Sequence, residues 1–117
     1  QVQWGIGQTT FAVNRRTNEE DEVPKLREDG LLKGPVDHTV NVLSVTGANG
    51  KLLGVVCGYA CHATVLPFFQ WSGDYPAYTQ MALEKSHPGA VAMFVAGCGG
   101  DQNLYWPDRP NRFTSLL

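Results

Sequence analysis

The dipeptide Asn49-Gly50 separates two runs of strand-forming residues, "HTVNVLSVTG" and "KLLGVVCGYAC", and this leaves the middle of the chain few options. Asn and Gly enter the turn conformations of a tight chain reversal at least cost, so the pair predicts a β-hairpin. Val40, Val42 and Val45 in the first run suit a pleated, half-buried surface. The second run ends at His62, an imidazole carried to the rim of whatever sheet the hairpin joins. A histidine there either closes a strand or serves as a ligand or base.

Downstream the pattern changes from strand to helix and back. In "WSGDYPAYTQMALEKSHPG", Asp74 is suited to cap a helix, Pro76 is tolerated in a first turn, and His87-Pro88-Gly89 ends it. Tyr78, Met81 and Ala82 recur at helical spacing and are expected to form the face packed on a sheet. "AVAMFVAG" is a continuous apolar run of strand length, expected to be covered on both faces. Strand, helix and strand form a crossover unit. Upstream, "TTFAVNRR" is a short alternating strand ending in Arg15 and Arg16. Residues 15–38 are polar, with an acidic cluster at Glu19 to Glu22 and prolines at 24 and 35, and predict a variable surface loop. The fold class is α/β: a mixed sheet holding a hairpin and a strand-helix-strand crossover.

Composition narrows the function. The 117 residues suit one domain, and a net charge of −2 lacks the basic footprint of a nucleic-acid binder. No apolar run approaches the ~20 residues that span a bilayer. The chain opens without a Met or a signal-like segment and stops without a closing element, so it is expected to be a piece of a larger, layered catalytic domain. On a strand, Cys57 and Cys61 would share a face roughly 13 Å apart, too far for a disulfide. Cys98 lies among glycines, and all three are expected to be buried free thiols whose redox state is not fixed by spacing.

Open α/β sheets bind ligands at strand ends. His62 follows one strand, Asp101 follows another, and Arg15 closes a third. The glycines of "GCGGDQN" let backbone approach a neighbour, a ligand or a metal closely. A histidine, a guanidinium and an aspartate at element boundaries suit an amidase or esterase. The plainer alternatives are a structural His and an Asp held in a turn. Asp74 is a helix cap or a partner to a metal ligand. Phe68, Phe69 and Trp71 predict core or pocket wall, or the lining of an acyl channel. "WPDRPNRF" is a polar, proline-rich loop.

In this order, "NRR", "GPVDHTVNVLSVTGANGKLLGVVCGYACHATVL", "SGDYPAY" and "GCGGDQN" resemble the neutral, non-lysosomal ceramidases and their bacterial relatives. The likeness runs from Phe11 to Asn103 and corresponds to the central part of that catalytic domain. It implies a zinc-dependent amidase that hydrolyses the N-acyl bond of ceramide-like lipids with a metal-activated water. By the resemblance His62 is one zinc-binding histidine, with the remaining ligands expected from the rest of the same protein or a companion chain. Arg15 is the catalytic arginine that binds substrate or the oxyanion, with Asn14 beside it at the substrate. Zinc suits such a site because it takes nitrogen ligands and lowers the pKa of bound water toward ~7. The family's "GDVSPN" is "GDQNLY" here, so Asn103 stands in place of a serine and a metal-activated water is favoured over a serine mechanism. His38, where relatives often carry proline, receives no role. Family members are secreted, periplasmic or at membrane surfaces.

Two other readings stay open. One is a Ser- or Cys-dependent hydrolase using Ser72 or Cys61 near His62, though no G-x-S-x-G pattern is present. The other is a non-catalytic binding or structural module on the same fold.

Overall fold

The computed structural model describes residues 1–66 and 69–104. Phe68 and the "WPDRPNRF" segment, assigned above to a wall and a loop, lie outside the described residues. The elements are β1 (Val2–Gln8), β2 (Ala12–Asn14), α1 (Val23–Glu28), β3 (Thr39–Thr46), β4 (Leu52–Tyr59), α2 (Asp74–Ser86), β5 (Val91–Ala96) and β6 (Gln102–Leu104). Four strands form one sheet in the order β1-β3-β4-β5, and β2 and β6 pair as a separate ribbon.

The hairpin is β3 and β4, antiparallel from Asn41↔Gly58 to Thr46↔Leu52, with a register shift at Val45/Thr46. Its turn is closed by Gly47 N–H to the Lys51 carbonyl (2.9 Å), and Gly50 takes a φ of 75°, where a side chain would be strained. β5 runs parallel to β4 from Gly54↔Val91 to Tyr59↔Ala96, with α2 between them in sequence. The fold is therefore α/β with a mixed sheet, as the pattern predicts. β1 was not among the expected elements, yet Val2, Trp4 and Ile6 alternate in its sequence; it pairs antiparallel with β3 from Val2↔Val45 to Gln8↔Thr39.

The two sheet faces differ sharply. On one, Val55, Cys57, Tyr59 and Ala92 are buried. On the other, Trp4, Leu43, Val56 and Met93 form one row across the four strands. Trp4 is 77% exposed and Met93 51%, and Val2, Ile6, Val91 and Val95 along the same face are exposed as well. The expectation that β5 is covered on both faces is thus corrected. The helix covers one face only, and no described element covers the other.

The docking face of α2 also differs from expectation. Tyr78 is 50% exposed and Met81 63%, whereas Tyr75, Thr79 and Leu83 turn inward and are half-buried. Polarity of β5 explains the choice. β5 is an edge strand, and its outward groups at Ala92 are taken by α2 side chains: Gln80 Nε2 donates to the Ala92 carbonyl (2.9 Å) and Ala92 N–H donates to Glu84 Oε1 (3.0 Å). Satisfying a buried edge outweighs burying one more methionine, since an unpaired backbone group costs roughly 1–3 kcal/mol.

Under the helix, aromatic rings lock the layers. Phe11 meets Tyr59 edge-on at 4.7 Å and Tyr75 at 5.7 Å, and Tyr75 meets Phe94 at 5.5 Å. Tyr59 Oη also donates to the Thr9 carbonyl (3.1 Å). Within residues 15–38, expected to be a loop, α1 forms with Pro24 in its first turn and Val23 fully buried. Arg27 from this helix donates Nη1 to the Thr10 carbonyl and Nη2 to the Phe11 carbonyl, which ties the segment down. Phe69 and Trp71 are fully exposed, so neither is core.

Each large apolar side chain gains roughly 1.5–3 kcal/mol on burial, and an uncovered apolar sheet face associates. The chain by itself is expected to elute above monomer mass and to bind a hydrophobic dye. Trp4→Ser together with Met93→Ser, both on the open face, should move it toward monomer. A dye-silent monomer that unfolds cooperatively would show that the face needs no cover.

Candidate functional site

The parallel strands β4 and β5 end side by side at Tyr59 and Ala96. Past those ends run Ala60-Cys61-His62 from one and Gly97 to Asp101 from the other. Gly97 N–H donates to the Tyr59 carbonyl (3.0 Å), and the next turn then presses onto the first segment. A Cβ on Gly99 would stand 2.7 Å from Cys61 Cα and 2.9 Å from the Ala60 carbonyl carbon, closer than real Cβ atoms come. Glycine is required there because backbone faces backbone.

The ribbon of β2 and β6 completes the frame, with Asn14 opposite Gln102. Arg15 N–H donates to the Asp101 carbonyl and His62 N–H to the Gln102 carbonyl, each at 2.8 Å. Both side chains then reach one acceptor. Arg15 Nε donates to the Gly100 carbonyl at 3.1 Å, and His62 Nε2 lies 3.3 Å from the same oxygen. The tautomer that makes the second contact a hydrogen bond carries its proton on Nε2 and leaves a lone pair on Nδ1. Arg15 is exposed, and this is its one side-chain bond among the described residues, so both terminal nitrogens are unengaged there.

Asn14, expected at the substrate, is instead 3% exposed and fully occupied. Its Nδ2 donates to the Pro35 carbonyl (3.0 Å) and to Asp101 Oδ2 (3.2 Å), while Oδ1 accepts from Arg16 N–H (3.0 Å) and Thr17 Oγ1 (3.2 Å). Asn18 Nδ2 bonds the Asn14 carbonyl (2.7 Å). Asn14 therefore holds the backbone on which Arg15 stands. Asp101 faces Asn14 rather than His62, and Asn103 pairs with Val13 in the ribbon.

Asp74 does not cap α2 in the expected way. It is the first helical residue, buried, with a left-handed φ of 51°, a conformation costing roughly 1–2 kcal/mol outside glycine. Its carboxylate accepts from Leu66 N–H (2.8 Å) and Tyr75 N–H (2.7 Å), so it fastens the segment after His62 to the helix start. Tyr75 Oη in turn donates to the Cys61 carbonyl (2.9 Å), next to His62. The sequence pattern did not single out Tyr75 or Gly100. Tyr75 had only an aromatic in a helix start as its signal, and a carbonyl acceptor has none.

The Cys61 thiol lies against the His62 carbonyl (3.7 Å), not its ring, and burial, with the Asp74 charge, pushes its pKa up to about 12. Burial likewise raises Cys57, and it raises the Tyr75 phenol, with the neighbouring Cys61, Tyr59 and Asp74 adding to the shift. Neither Cys57 nor Cys61 is poised as a thiolate nucleophile at neutral pH. Ser72 Oγ accepts from Asp74 N–H (3.0 Å) and makes no bond to His62. Cys57 and Cys61 are buried and free, but Cys98 is exposed, which corrects the expectation that all three are buried.

The described residues do not by themselves make up a metal site. Among the described residues, no three His, Cys, Asp or Glu side chains come together. His62 has suitable donor chemistry but is one ligand, and a zinc centre takes three or four.

Comparison with known proteins locates the fold. No family model matches the chain, and no curated protein matches it. Among solved structures, the neutral ceramidase from Pseudomonas aeruginosa superposes with a TM-score of 0.68 at 23% identity, covering 96% of this chain and 19% of that one. A ceramidase complexed with C2 superposes with a TM-score of 0.66 at 22% identity, covering 88% of this chain and 16% of that one. The chain thus shares the fold of part of these ceramidases and spans less than a fifth of their length. Among the described residues no helix is long and apolar enough to cross a membrane.

Thiol chemistry checks the burial. At mildly alkaline pH an alkylating reagent should modify Cys98 well before Cys57 and Cys61 in the folded protein. The raised Cys61 pKa also has a stability sign. The folded state keeps a proton that the unfolded chain releases, so stability is unaffected below the ordinary value of 9.0 and falls as pH rises from there toward about 12. Denaturation midpoints across that range should slope downward, less steeply in Cys61→Ala.

Proposed function

We propose that the chain belongs to a ceramidase-like amidohydrolase that cleaves the N-acyl amide of a lipid, and that His62 and Arg15 are its working residues. The observation that carries this reading is their convergence on the Gly100 carbonyl at the ends of two parallel strands. The likeness in fold to neutral ceramidases supports it. Arg15 has two terminal nitrogens, unengaged among the described residues, to offer a carbonyl oxygen as it gains negative charge, and donors fixed in place cost no reorganisation when that charge develops. The Gly100 carbonyl holds the His62 ring in orientation and leaves the Nδ1 lone pair for a ligand. Zinc is part of the proposal, with His62 as one ligand and the others supplied from outside these residues. When bound, zinc supplies a Lewis acid that polarises a carbonyl and acidifies water. Asn14, Asp101, Asp74 and Tyr75 act through backbone, holding Arg15 and His62 in place. Phe69 and Trp71, fully exposed beyond His62, offer apolar contact to an acyl chain.

In the intact protein, His62→Ala is expected to remove zinc and amide hydrolysis together while leaving the fold in place. Full zinc occupancy in that variant would remove His62 from the metal. Arg15→Lys should slow turnover about a hundred- to a thousandfold, because a point charge does not replace a planar fork of donors. Arg16→Lys serves as the control and should change little; an unchanged rate in Arg15→Lys would return Arg15 to the surface.

A further inference from the structure

A cavity of about 430 Å³ shares only Asn14 with the cluster described above. Its walls include Arg27, Lys33 and His38 beside Leu32 and Val36. Among the described residues its ionisable lining is wholly basic, with no Asp or Glu. Asp37, the acid next in sequence to His38, lines the groove on the open sheet face instead and accepts from Thr39 N–H.

Two nitrogens of its lining residues are buried and lack partners among the described residues: Arg27 Nε and His38 Nδ1. Buried polar atoms are nearly always bonded, and leaving one orphaned costs roughly 1–3 kcal/mol. Neither residue is loose. Arg27 is pinned through its terminal nitrogens to the Thr10 and Phe11 carbonyls, and the His38 carbonyl accepts from Thr9 N–H (3.0 Å). Each terminal nitrogen of a guanidinium carries two protons, so Arg27 keeps donors beyond those two bonds. Lys33 is held by its backbone alone: its N–H donates to Asn18 Oδ1 (2.9 Å), and its carbonyl accepts from Thr17 Oγ1 and Asn18 Nδ2 (2.8 Å each). Its ammonium has no partner among the described residues. A guanidinium, an ammonium and an imidazole line one cavity with no acid among its described walls, and Asp37 outside it is the acid whose charge reaches His38; such a lining suits an anion.

We propose that this cavity is a binding site for a small oxyanion, a carboxylate or a phosphate, held by Arg27 and Lys33 with His38 alongside. The basic side supplies charge-assisted hydrogen bonds, and Leu32 and Val36 leave room for a short apolar body. The assignment does not rest on the reaction proposed at His62. The cavity also touches Asn14, so an occupant would brace the residue that holds Arg15 and Asp101.

The test titrates the intact protein with inorganic phosphate, with butyrate and with neutral butyramide, following the His38 imidazole nitrogen signals by NMR. A saturable shift with phosphate or butyrate, absent with butyramide, is expected, and the tighter of the two anions identifies the natural chemistry. Lys33→Gln leaves the backbone bonds to Asn18 and Thr17 intact and should weaken binding about tenfold or more. Arg27→Lys, which keeps the charge but loses the fork, should weaken it as well. No saturable shift with either anion, an equal response to butyramide, or affinity unchanged in Lys33→Gln would overturn the proposal.

Discussion

The close approach of the Gly97–Asp101 turn to the end of β4 is the constraint on which the rest of the site depends. With Gly99 lying on the Ala60-Cys61 backbone, the chain leaving β5 is forced across the chain leaving β4. That crossing places the Asp101 and Gln102 carbonyls where Arg15 and His62 find them, and it aims the Gly100 carbonyl between the two side chains. A methyl group at Gly99 would lift the turn and part Arg15 from His62 without touching either.

Around that crossing, the packing is carried by polar groups as much as by apolar ones. α2 holds β5 through Gln80 and Glu84, and it holds the backbone before His62 through Tyr75 Oη. Asp74 adopts a left-handed backbone to reach Leu66, and its two short hydrogen bonds offset that strain. Asn14 does the same work for the other side. The pattern is of backbone placed by buried side chains, with the Arg15 and His62 side chains left half free.

The two faces of the sheet are finished differently. One face is sealed by α2 and the ring cluster of Phe11, Tyr59, Tyr75 and Phe94, while the row of Trp4, Leu43, Val56 and Met93 stands open. This fits a chain that spans under a fifth of the ceramidases sharing its fold.

Most of the local structure was legible in the sequence, with β1 and α1 the exceptions. Asn49-Gly50 forces the hairpin, Pro76 and His87-Pro88-Gly89 bound α2, and the apolar run from Ala90 ends in glycines that let backbone meet backbone. These are short-range effects of φ, ψ and side-chain period, so they are legible in a single chain. Which face of α2 turns inward was not, because Tyr78 and Met81 match the helical period as well as Tyr75 and Leu83 do. The choice was made by the unpaired edge at Ala92, which exists only once the sheet has formed. The meeting of Arg15 and His62 on the Gly100 carbonyl, and the diversion of Asn14 and Asp101 to each other, are likewise decisions of tertiary structure. Each joins residues far apart in sequence, and the first runs through a backbone carbonyl, which leaves no mark in the sequence.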